Sequence, residues 1–237
     1  MKIGIIGSGN MGRHLGLVWA EQGHEVFFGA RDVERAQAAA ALSAHAVHAG
    51  TNDEAARFGE VLLYTIRDAE PGDLVSDLSV YDGKVVIDVN NHDVPDGLDY
   101  PSFETALAQR LQAKIPNARV VKAFSTVPNE LFEFCPDRIK EYDVAVFIAG
   151  DDEDARNTVA QLATDIGFTP ADMGPLYAAK TIERATQLAI AAIIGGGGHF
   201  QTAFTIHRLP VPEGEPRLGG RAMNAQTQED LRSLEVS

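Results

Sequence analysis

Lys2-Ile3-Gly4-Ile5-Ile6-Gly7-Ser8-Gly9-Asn10-Met11-Gly12 is the stretch on which the fold turns. Residues 2–6 form a short run without polar alternation, the mark of a strand covered on both faces. Residues 12–22 carry a helical pattern, and three glycines in the register G-x-G-x-x-G lie between the two. In that register Gly7 makes the tight turn. Gly9 removes the side chain where a pyrophosphate would approach the backbone, and Gly12 lets helix and strand pack closely. The helix start adds free N–H groups and the positive end of its dipole. The motif therefore predicts a dinucleotide-binding βα unit, with Gly7, Ser8, Gly9, Asn10, Met11 and Gly12 around the phosphates.

The same alternation continues outward. Apolar strands are predicted at 25–29, 46–49, 61–66, 84–89, 119–123, 144–149 and 169–173. Helices are predicted at 33–42, 74–80, 103–114 and 153–166. Strand-helix repetition of this kind predicts an α/β chain: a Rossmann, doubly wound, mostly parallel sheet over residues 1–174. Residues 175–237 then form a small C-terminal helical domain. It comprises a long helix over 176–194, a break at four glycines, a second helix over 200–209 and a polar tail from Pro210. So small a region buries little by itself. Leu176, Ile182, Leu188, Ala189, Ala192 and Ile193 therefore predict a homodimer contact there.

Lys plus Arg number 20 and Asp plus Glu 34, a formal charge of −14. A chain this acidic is a poor general binder of nucleic acid or anionic membrane, so an anionic ligand needs a local basic pocket. One stands at the end of the second strand, Phe28-Gly29-Ala30-Arg31. Ala30 leaves room beside the ribose, and Arg31 can pair with a 2′-phosphate and stack on adenine. Arg35 lies one helical turn on. These residues predict NADP(H). Asp32 keeps NAD open if it holds the ribose hydroxyls; as a helix N-cap it leaves NADP(H) in place.

The single cysteine, Cys135, excludes an intrachain disulfide and reads as core filler. No metal site is expected. The N-terminus runs directly into a strand, leaving no room for a signal peptide, and no apolar run is of membrane-spanning length. The expectation is a cytoplasmic protein whose partner is a small-molecule electron acceptor.

Ile5 to Gly12, Gly23-His24-Glu25-Val26 and Gly29-Ala30-Arg31 together resemble the NADPH-dependent oxidoreductases of the deazaflavin coenzyme F420. Val120-Val121-Lys122-Ala123-Phe124-Ser125-Thr126-Val127-Pro128 is similar to that family's "KAFNT" segment. Ala149-Gly150-Asp151-Asp152, and Gly174-Pro175-Leu176 leading to Ile182-Glu183, extend the likeness to about residue 194. The metalloreductase domains of animal membrane proteins share this core. The resemblance implies nicotinamide contacts from Thr65, Ile66 and Arg67, from Asn90 and Asn91, and from Ala123, Phe124, Ser125 and Thr126. It also implies coenzyme F420 or a flavin as co-substrate. The chain departs from the family in having Arg67-Asp68 where Pro-Trp is common, and Ser125 in place of Asn or His.

Hydride transfer of this kind asks little acid-base help from the protein. No Ser-His-Asp order, paired carboxylates or H-E-x-x-H motif is evident. The candidate catalytic residues are Ser125 and Thr126, as shapers of an acceptor pocket, and Lys180 as an acid. Two other functions fit the same residues. One is an NADPH-dependent reductase of a small carbonyl, imine or hydroxyacid, using Lys180 or Tyr177 as proton donor. The other is a non-catalytic NADP-binding sensor.

Overall fold

Eight strands form one sheet in the order β3-β2-β1-β4-β5-β6-β7-β8. In chain order they are β1 (Lys2–Ile6), β2 (Glu25–Ala30), β3 (His48–Thr51), β4 (Val61–Tyr64), β5 (Val85–Asp88), β6 (Arg119–Lys122), β7 (Ala145–Gly150) and β8 (Thr169–Asp172). The helices are α1 (Asn10–Glu21), α2 (Val33–Ala40), α3 (Asn52–Phe58), α4 (Pro71–Leu74), α5 (Leu107–Lys114), α6 (Pro136–Glu141), α7 (Glu153–Asp165) and α8 (Ala179–Gly195). The computed structural model describes residues 1–93 and 102–207. All pairings are parallel except β6 with β7. The predicted α/β, doubly wound and mostly parallel sheet is therefore the observed one. Strand order reverses between β1 and β4, which opens a crevice beyond the carboxyl ends of those strands.

Side chains alternate between two cores. Ile3, Ile5, Leu63, Ile87 and Val121 face one, with Leu15 and Trp19 of α1 and Val159 and Leu162 of α7. Ile6, Leu62, Val86 and Val120 face the other, with Ala55 of α3, Leu111 of α5 and Ala179 of α8. Because both faces are covered, continuous apolar strands are stable here where an alternating pattern would not be.

Helix α8 belongs to the compact unit Met1–Ile206. Its Ile182, Ala189 and Ile193 are buried, as is Leu176 just before it. The apolar stripe expected to need a second subunit is thus largely covered within the chain, and Leu188 and Ile194 stay exposed. The second predicted helix, over 200–209, is corrected within the described residues. Residues 200–206 run without helix. They lie along the start of β7, where Ala145 donates its N–H to the Phe204 carbonyl and Val144 bridges Thr205 antiparallel. The four preceding glycines favour that change, since Gly197 and Gly198 take positive φ. Residues 208–209 and the polar tail from Pro210 lie outside the described residues. Two short helices, α3 and α6, were not anticipated. Each begins on a turn: Thr51 and Glu54 form a capping box for α3, and Pro136 opens α6.

Trp19, the sole tryptophan, has none of its surface exposed and donates its indole N–H to the Leu162 carbonyl at 3.1 Å. Replacing it with Phe keeps an aromatic ring and removes that donor and some volume. A loss of about 1–3 kcal/mol is expected in urea unfolding followed by far-UV circular dichroism, with the slope unchanged.

Candidate functional site

The phosphate turn is built as the glycine register requires. Gly7 has φ +103, and a Cβ there would lie 2.6 Å from Thr65 Oγ1 and Ile66. A Cβ on Gly12 would lie 2.1 Å from the Gly7 carbonyl oxygen, so helix α1 packs on the turn at backbone distance. Gly9 differs, because a Cβ there would meet nothing within 4 Å. Its bare backbone faces open space, which is the cradle that a pyrophosphate needs. Gly9 also caps α1 with no side-chain hydrogen bond, which leaves the first-turn N–H groups for a ligand. Two hydroxyls brace the turn from below. Ser8 donates to the Gly29 carbonyl at 2.9 Å, and Thr65 donates to the Gly7 carbonyl at 2.7 Å.

A cleft of about 750 Å³ runs across the ends of β1, β2, β4 and β5. Its walls unite Gly7, Ser8, Gly9 and Met11 with Ala30, Arg31 and Arg35, and continue through Thr65, Ile66 and Arg67 to Asn90 and Asn91. Residues from four separate segments thereby meet in one crevice. Asn10 and Gly12 sit in the turn without lining it. Asp32 caps α2 by accepting the Glu34 N–H at 3.1 Å, the N-cap role that leaves Arg31 and Arg35 to meet a phosphate. Both arginines are exposed, and neither makes an ion pair among the described residues. The groups present thus fit a dinucleotide with a 2′-phosphate.

Arg67 bridges two loops: it donates to the Asn91 carbonyl at 3.3 Å and pairs with Asp93 at 2.7 Å and Asp68 at 3.4 Å. Beyond it lies a second cavity of about 420 Å³. The two cavities share Arg67, Asp68, Ala69 and Asn90 as walls.

Three expectations are corrected. Ala123, Ser125 and Thr126 are buried and line neither cavity. The loop after β6 dives beneath Asn91, whose side-chain amide donates to the Ser125 carbonyl at 2.7 Å. Phe124 makes that dive with φ +59, a strained value for a bulky residue, and its ring is held edge-on by Trp19 at 5.8 Å. Lys180 also stays outside the cleft and pairs with the exposed Glu104 at 3.4 Å, while Tyr177 is exposed. Cys135 is exposed too, because it sits just before the proline that opens α6.

One cluster was assigned no role from the sequence. Asp88 ends β5 and Lys122 ends β6, in register on adjacent strands. Lys122 has none of its surface exposed. Its ammonium lies 3.0 Å from Asp88 Oδ2 and 3.0 Å from Glu183 Oε1 of α8, and also donates to the Asn90 carbonyl. Glu183 Oε1 accepts the Leu107 N–H at 2.9 Å, and Glu183 Oε2 lies 3.4 Å from His92 Nε2. Burial pushes the Glu183 carboxyl above the usual range, and the ammonium of Lys122 opposes that shift. A lysine inside Val-Val-Lys-Ala and an aspartate inside Val-Ile-Asp-Val were the available signal, since charges in two-faced strands are rarely unpaired.

Lys122→Met leaves two buried carboxyls without their cation. It should cost about 3–5 kcal/mol in denaturant unfolding, and neutralising Glu183 as well should restore part of that.

Residues 2–92 match the family model described as NADP oxidoreductase coenzyme F420-dependent. The F420-dependent NADP reductase of Methanothermobacter marburgensis is 32% identical over 210 residues, covering 80% of this chain and 91% of that protein. Metalloreductase STEAP3 of Rattus norvegicus is 30% identical over 182 residues, which are 77% of this chain and 36% of the relative; the chain thus spans about a third of the metalloreductases it matches. A crystal structure of an Arthrobacter protein provisionally named an F420-dependent NADP reductase superposes with TM-score 0.68 at 26% identity, covering 88% of this chain and 100% of that one. On this similarity the chain belongs to the F420-dependent NADP oxidoreductase family.

Proposed function

We propose that this protein passes a hydride between NADP(H), held in the larger cleft, and a deazaflavin or flavin-like acceptor held in the adjoining cavity. The observation that carries this reading is the pair of cavities meeting at Arg67, Asp68, Ala69 and Asn90. The adenine and phosphate groups are served at one end, by Arg31, Arg35 and the glycine turn. The nicotinamide end falls where the second chamber opens. NADPH itself supplies the hydride. The chain's part is to fix the distance between two rings and keep water from between them.

Arg67 carries a positive charge at the junction of the two cavities. With Asp68 and Asp93 against it, the charge is largely offset, and the residue serves as a strut between the loops. The second chamber is also lined by the exposed Arg110 and by Lys114, which pairs with Glu70 at 2.5 Å. Lys180 and Tyr177 lie outside both cavities, which counts against a small-carbonyl reductase that takes its proton from either. We further propose that the protein acts as a homodimer through the exposed Leu188 and Ile194 of α8. Light scattering at micromolar concentration tests this, a monomer being the contrary result.

The deciding experiment is anaerobic oxidation of NADPH with F420, FMN, FAD and a ferric chelate offered in turn. Turnover with F420 well above the rest is expected; turnover confined to the chelate would replace the deazaflavin reading with metal reduction. Arg31→Ala should weaken NADP binding by about 1–3 kcal/mol and barely change NAD binding, in isothermal titration. An equal loss for both cofactors would remove the 2′-phosphate assignment. Gly9→Val should abolish binding of either while the melting temperature stays close to the parent's, because the side chain enters the phosphate cradle from a Cβ with no protein atom within 4 Å.

A further inference from the structure

Asn90 is the residue through which the buried charges reach the cleft. Its backbone N–H donates to Asp88 Oδ1 at 3.2 Å, and its side-chain amide donates to the same oxygen at 2.7 Å and to the Tyr64 carbonyl at 3.1 Å. Its carbonyl accepts from the Lys122 ammonium. Two acceptors around the amide nitrogen settle which way the side chain is turned, since a flipped amide would place its oxygen against two others. That leaves Asn90 Oδ1 with no hydrogen-bond partner among the described residues. Asn90 forms part of the wall where the two cavities meet.

The cluster beneath is built at a cost that packing alone does not require. An ammonium and two carboxyls are removed from water, and an apolar trio of similar volume would fill the same space with less desolvation. What the charges supply is orientation. Asp88 fixes both nitrogens of Asn90, Lys122 fixes its carbonyl, and Glu183 holds Lys122 from α8 while accepting the first N–H of α5.

We propose that Lys122, with Asp88 and Glu183, is a positioning device for the nicotinamide half of the cofactor. The cluster locks Asn90 so that its side-chain oxygen stands as a fixed hydrogen-bond acceptor where the cleft meets the second chamber. The group it suits is a primary carboxamide N–H, which the nicotinamide ring carries and the adenine-ribose half lacks. The inference rests on the NADP(H) reading above and assigns within it the residues that set the ring's pose.

The test compares two ligands by isothermal titration: NADPH, which spans the whole cleft, and 2′,5′-ADP, which fills the adenine half alone. The parent binds both. Lys122→Met and Asp88→Asn, checked for folding by circular dichroism, should each lose about tenfold in NADPH affinity, the worth of one hydrogen bond between neutral groups, and keep their affinity for 2′,5′-ADP. Should Lys122→Met not fold, Glu183→Gln is the milder variant. It keeps an oxygen for Lys122 and the Leu107 N–H, and should shift the same ratio in the same direction by less. In an Asn90→Ala background, Lys122→Met should cost NADPH nothing further, because the two act through one group. Equal losses for both ligands, or none for either, would overturn the positioning role while leaving the cofactor reading intact. A parent that binds neither ligand would defeat the cofactor reading and this inference together.

Discussion

The ammonium of Lys122, enclosed between Asp88 and Glu183, ties the paired ends of β5 and β6 to helix α8 and to the floor of the cleft. It lies at the carboxyl end of β6, reaches β5 through Asp88 and the cleft through Asn90, and is met from above by α8 through Glu183. Glu183 in turn receives the first N–H of α5. Removing any one partner strands a charge in the interior, so the arrangement is all-or-none. That property makes it a register pin. The sheet ends, the two covering helices and the floor of the crevice occupy one mutual arrangement because others leave a buried charge uncompensated.

The constraint also explains why the last helix is part of the dinucleotide-binding body. By sequence pattern α8 belongs to a separate helical region, since no strand is predicted after it. Ile182, Ala189 and Ile193 nevertheless face the interior, and Thr186 donates to Asn91 Oδ1 at 3.0 Å and to the Ser125 carbonyl at 3.1 Å. One helix face therefore carries Glu183 to the Lys122 cluster and Thr186 to the turn above it. The apolar pattern that periodicity alone assigns to a subunit contact is mostly spent against the chain's own sheet.

The parts of the fold legible in the sequence are those set by local chemistry. The Gly7–Gly12 register, the continuous apolar strands and the Asp32 cap all depend on residues within a turn of one another, and each stands as expected. Arg31 and Arg35 were legible for the same reason: they follow a strand whose end faces the crevice in any doubly wound sheet. The misplacements have a common physical origin as well. Ser125 and Thr126 follow β6, and strand ends face the crevice, so their hydroxyls were expected there. Strand direction fixes where a loop starts and says nothing about the turn it takes. Here the positive φ of Phe124 sends the loop inward, under Asn91. Lys122 and Glu183 are 61 residues apart in the chain, and no short-range pattern records a pairing at that separation.

A chain of net charge −14 that takes up a multiply anionic dinucleotide must concentrate its positive field locally. It does so at two levels. At the end of β2 the charge is exposed, in Arg31 and Arg35, where attraction over several ångströms in water helps capture a phosphate. At the end of β6 the cation is buried and paired, in Lys122, and its field is offset at short range by the carboxyl groups of Asp88 and Glu183. An exposed arginine selects a ligand by charge; a buried lysine cannot do so, and on the proposal above it acts through the geometry it imposes on Asn90. On that proposal binding strength and ring placement fall to different residues at opposite ends of one cleft. That separation lets the cofactor be held firmly by its phosphates while the reacting ring is set by a rigid acceptor, a division suited to hydride transfer, in which the distance between two rings governs the rate.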